Sequence, residues 1–80
     1  MNSIEVKSGR RKFVCTTKDK IMDNGNCYQL VTKKYQEHYY WLTPQLSKAE
    51  FKRLLKLGLL SEPYDIISYG YKVTMYDFKL

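Results

Sequence analysis

Apolar positions along several stretches of this chain keep a two-residue period, whereas over residues 46–60, LSKAEFKRLLKLGLL, the spacing becomes helical. Ser47 stands at an N-cap position with Glu50 three residues on, and Leu46 and Phe51 can close over the first turn as a hydrophobic staple. Phe51, Leu54 and Leu55 fall on one side and are read as the buried stripe. Lys48, Lys52 and Lys56 recur every four residues on the other side, with Arg53 beside them. Gly58 offers left-handed backbone for a stop, and Leu59 can fold back on Leu54. The pattern predicts a helix over about 47–57, which is too short to persist alone and must be held by a sheet.

Elsewhere the chain reads as strand. Ile4 and Val6 alternate with polar neighbours, Ser8-Gly9 punctuates, and Phe13 and Cys15 then alternate against Lys12, Val14 and Thr16. Asp23-Asn24-Gly25-Asn26 is a hairpin signal. With Asn24 and Gly25 as a two-residue loop, Met22 would face Cys27 and Ile21 would face Tyr28. The second arm runs from Cys27 to Tyr35. Residues 37–42, with Tyr39, Tyr40 and Trp41 in succession, fit a further strand that Pro44 stops. Glu62 to Asp65 reads as a turn. Ile66 to Leu80 reads as one or two strands broken near Gly70, with Tyr71, Val73 and Met75 on one face and Lys72, Thr74, Tyr76 and Phe78 on the other.

These elements give an α+β fold: a small twisted antiparallel sheet of four to five strands with one short helix packed on it, or else a small open barrel closed by that helix. No repeat or linker divides residues 1–80, so a single domain is expected. Leu, Ile, Val and Phe supply 20 of the 80 residues and there are twelve aromatic rings, enough to place the chain among folded domains. Two cysteines are too few for a secreted disulfide scaffold, which favours free thiols and a cytoplasmic setting, although a Cys15 to Cys27 bridge depends on geometry. No apolar run is long enough for a membrane helix, and no membrane partner is expected.

The residues offer little for catalysis. The single histidine, His38, could pair with Cys15 or Cys27, and Asp65 with Asp77 or Glu37 with Glu50 could form carboxylate pairs, but eight acids generate such pairs by accident. Two Cys and one His cannot fill a four-ligand zinc site, and the isolated glycines make no phosphate loop, so neither a metal nor another cofactor is expected. A non-enzymatic protein follows from this reading.

The net charge of +6 favours acidic partners. Candidate partner-binding residues are Arg10, Arg11, Lys12, the helix stripe Lys48, Lys52, Arg53 and Lys56, and the aromatics Tyr39, Trp41 and Tyr76, which suit either base stacking or anchoring in a protein interface. The segment SKAEFKRLLKLGLL resembles the second helix and turn of winged-helix excisionase-type DNA binders. That family completes the motif with a preceding helix, whereas residues 35–45 here read as strand and loop, so no functional residue is carried over. In its compact Lys- and Tyr-rich character the chain also resembles accessory proteins of phages and mobile elements. The expectation is a small binding protein that inhibits or modulates a nucleic-acid-handling protein complex. The alternative is direct, weakly sequence-selective binding of DNA or RNA.

Overall fold

The computed structural model describes residues 2–32, 44–68 and 70–80, the side chain of Ser68 apart. The expected strand at 37–42, with Tyr39, Trp41 and the neighbouring His38, lies outside the described residues. The elements are β1 (Ser3–Ser8), β2 (Arg11–Thr16), β3 (Lys20–Asp23), β4 (Tyr28–Val31), β5 (Gln45–Leu46), α1 (Lys48–Lys56), β6 (Tyr64–Ser68) and β7 (Tyr71–Asp77). They form an α+β fold of two antiparallel sheets, a two-stranded ribbon β1-β2 and a five-stranded sheet in the order β5-β4-β3-β7-β6.

The ribbon turns tightly at Gly9 and Arg10, pairing Ser8 with Arg11 and Val6 with Phe13. At its far end Asp19 ties the chain into a turn by accepting from the Thr16 amide at 2.7 Å and donating its own amide to the Thr16 carbonyl. That turn redirects the chain, so β2 does not continue into the larger sheet and β1-β2 remains a sheet of its own.

The β3-β4 hairpin forms where Asn24-Gly25 predicts it, but in a different register. Asp23 pairs with Tyr28 and Ile21 with Leu30, so the loop has four residues, 24–27, instead of two. The cause is local side-chain bonding. Asn24 Oδ1 accepts from the amides of Asn26 and Cys27, and Asp23 Oδ1 accepts from Gly25, which widens the turn before pairing begins. The shift is two residues in total, an even number, so every side chain keeps its expected face. β4 is described over Tyr28–Val31, residues 33–35 of the expected arm lying outside the described residues, and β6 already starts at Tyr64 within the expected turn.

Each sheet face carries a buried cluster. On one, Ile21 and Leu30 join Val6 and Cys15 of the ribbon, Phe51 and Leu54 of α1, and Leu46, Leu60 and Phe78 in the larger core. On the other, Met22, Val31, Val73 and Met75 form a second buried cluster. The C-terminal end is pinned by a Leu60 to Phe78 bridge and by Lys79 donating to the Leu59 carbonyl.

Helix α1 begins and ends as its sequence dictates. Ser47 Oγ accepts from the Glu50 amide at 3.1 Å. At the other end Leu59 N–H donates to Leu54 O and Gly58 N–H to Leu55 O, the paired bonds of a Schellman stop, with Gly58 at φ 72°. Leu55 is a correction to the expected stripe: it is 45% exposed. Glu50, 7% exposed, takes the inward place instead, since it lies on the same side of the helix as Leu54, four residues on.

Candidate binding surface

Burial of Glu50 organises the surface around the helix. In a capping box its carboxylate would return to the Ser47 amide. Here it reaches across to the ribbon, where Oε2 accepts from the Lys7 amide at 2.7 Å, while Arg53 Nε and Nη2 hold Oε1 and Oε2 at 2.6 and 2.9 Å. Arg53 Nη2 also donates to the Glu5 carbonyl at 3.2 Å. The Glu50–Arg53 pair therefore supplies an acceptor and a donor to the free edge of β1, as a neighbouring strand would. These bonds, the Arg53 guanidinium first, hold the Glu50 carboxyl below the usual carboxylate range against the opposing effect of burial.

The consequence for charge is a division among the helix cations. Arg53 is committed to Glu50 and Glu5. Lys48, Lys52 and Lys56 lie on the side away from Glu50 and Leu54, exposed, and none makes an ion pair among the described residues. Nine residues of helix thus present three uncompensated ammonium groups along one line.

The ribbon carries the other basic group. Arg10 is exposed at the turn, Arg11 lies over the Phe13 ring at 4.9 Å, and Lys12 pairs loosely with Glu5 at 3.6 Å. Glu5 is the link between the two groups, because its carboxylate meets Lys12 while its carbonyl meets Arg53. Tyr76 is half-buried and packs edge-on against Phe51, which itself stacks on Tyr28 at 3.9 Å between centroids. Its ring serves the core.

Other candidate chemistry is dispersed. Asp65 faces Lys72 and Thr74, whereas Asp77 accepts from Lys20 Nζ and Tyr64 Oη, both at 2.6 Å. The two acids lie on opposite faces of the sheet, as their odd–even positions around Thr74 require. Both cysteines are free thiols. Burial, reinforced by the Asp19 charge, pushes the Cys15 thiol up to about 12, so it stays protonated at neutral pH. Among the described residues no group of three or more His, Cys, Asp or Glu is placed to hold a metal ion, and no helix is long and apolar enough to cross a membrane.

Comparison with family models, characterised proteins and solved structures returned no match. The surface must be interpreted on its own chemistry. The helix stripe was legible from its four-residue spacing. The role of Glu50 was missed, and only its position on the inward side of the helix beside Leu54 could have signalled it.

Proposed function

We propose that this chain is a non-enzymatic binding protein whose basic helix face docks on an acidic surface of a protein complex that handles nucleic acid, and so modulates that complex. The observation that carries this reading is the row Lys48, Lys52 and Lys56, exposed and unpaired on a helix whose ends and opposite face are firmly held. A row of like charges on a helix that is already held needs no backbone ordering on docking and steers encounter with an oppositely charged surface.

The experiment is affinity capture from the native host, with and without nuclease, using the wild-type chain and the double variant Lys52→Glu with Lys56→Glu. Wild type should retain a protein after nuclease treatment. The variant should bind it at least about tenfold more weakly. Its far-UV circular dichroism should be unchanged, because both lysines point away from the core. Equal capture by a folded variant would remove the helix face from the interface.

A second reading, direct binding of DNA or RNA, is supported by the link through Glu5, which sets the basic ribbon beside the helix. Phosphate-dominated binding would weaken steeply between about 50 and 200 mM salt. Absence of any DNA or RNA binding at low salt would dispose of it.

A further inference from the structure

Among the described residues four strand edges lack a strand partner, and three of them are dealt with. The Glu50–Arg53 pair occupies the free edge of β1, and Ser8 Oγ donates to the Gln45 carbonyl at β5. β2 carries Arg11 and Lys12, the kind of charge that discourages strand addition. β6 is different. Among the described residues no segment pairs with its outer side, and residues 61–68, SEPYDIIS, contain no lysine or arginine. Ile66 and Ile67 are 38% and 72% exposed there.

We propose that β6 is the docking edge for a second copy of this chain, which adds its own β6 antiparallel about Ile66. In that register Ile66 meets Ile66 of the second copy, Tyr64 meets Ser68, and Asp65 meets Ile67. Side chains that share a face within one copy still share it in the pair. Within each copy Asp65 already neighbours Thr74 on β7, and Ile67 neighbours Lys72. Each side-chain row crossing the four central strands therefore reads Thr74, Asp65, then Ile67 and Lys72 of the second copy: one carboxylate and one ammonium per row. Two chains of net charge +6 repel at long range, and β6 is where they can approach without opposing cations.

The pairing has a geometric result. Antiparallel addition at an edge is isologous, with its two-fold axis normal to the sheet, so both copies keep their helices on the same face. The two β3 strands are then five strand spacings apart, about 24 Å, which sets the separation of the two lysine rows. The pair is thus bivalent toward an extended acidic surface.

Sedimentation velocity of the full chain over about 5–500 µM tests this directly. The expected result is a concentration-dependent species of twice the 9.6 kDa chain mass. Its dissociation constant should fall as salt rises, because screening relieves the +6 repulsion. Ile67→Asp places a carboxylate against Asp65 of the second copy and should weaken association by about tenfold or more. Ile67 is the more exposed of the two isoleucines, so this variant should keep the monomer fold. Ile66→Lys, which sets two ammonium groups face to face on the axis, should do the same. A monomer throughout the concentration range overturns the proposal, including the case in which β6 accepts an unrelated extended peptide instead. A dimer that both variants leave intact, or one that weakens with salt, overturns it too.

Discussion

Leu54→Ala is expected to destabilise the protein by about 2–5 kcal/mol, read as the midpoint shift in urea unfolding. Leu54 is 0% exposed and belongs to the core in which helix, ribbon and sheet meet. Truncation loses the transfer energy of its buried carbons and leaves a void that three separate elements must collapse together to fill, which they can do only in part. A domain of this size has about 5–15 kcal/mol in total, so the variant would lose much of its margin or fail to fold. Leu55→Ala, at the neighbouring but exposed position, provides the comparison. It should change stability by no more than about 0.5 kcal/mol. Similar losses at both positions would mean that the helix does not present Leu54 inward.

The second large effect is expected for Glu50→Ala, about 1–3 kcal/mol near neutral pH. Removing the carboxylate leaves the Lys7 amide without its acceptor and frees the Arg53 guanidinium, so the β1 edge loses both of its substitutes for a strand neighbour. The cost should depend on pH in a defined direction. The folded carboxyl titrates below its unfolded value, so its contribution is complete above about pH 5 and is lost as pH falls through the folded pKa. Urea unfolding of wild type and variant at stepped pH should therefore give curves that converge in acid. A gap that stays constant from neutral pH down into acid would show that Glu50 acts by packing alone. Asp77, held below the usual range chiefly by Lys20 and then by Tyr64, adds acid sensitivity of the same sign in both proteins and does not disturb the comparison.

The contrast between these two positions shows what the sequence could convey. Ser47, Gly58 and the lysine spacing act through bonds a few residues apart, so local pattern was enough to place the helix. The Gly9 and Gly70 turns were legible for the same reason. The register of the β3-β4 hairpin was not, because Asn-Gly signals a two-residue turn and gives no warning that Asp23 and Asn24 will both bond the loop amides. The separation of the ribbon from the sheet was also hidden. It depends on Asp19 bonding Thr16 in a turn without glycine or proline. Glu50 is the hardest case. Its partner Arg53 is three residues away, but Lys7 is 43 residues away, and a contact over that separation has no local signature. Leu55 faces outward because apolar character alone does not decide burial, and the inward place goes to the side chain that completes the ribbon edge.

Cys15 lies at the join between the ribbon and the rest of the molecule, fully enclosed and protonated, whereas Cys27 sits half-covered in the β3-β4 loop. The protein thus holds a fast thiol and a slow one in the same chain. An alkylating reagent should mark Cys27 at once and reach Cys15 only in molecules whose ribbon has lifted, so mass spectrometry of the doubly labelled fraction against time would record the opening rate of that one unit. Equal labelling rates for the two thiols would show that the ribbon is not held down. The enclosed thiol is in this sense a clock set by the Glu50–Arg53 clasp, and Glu50→Ala should make it run faster.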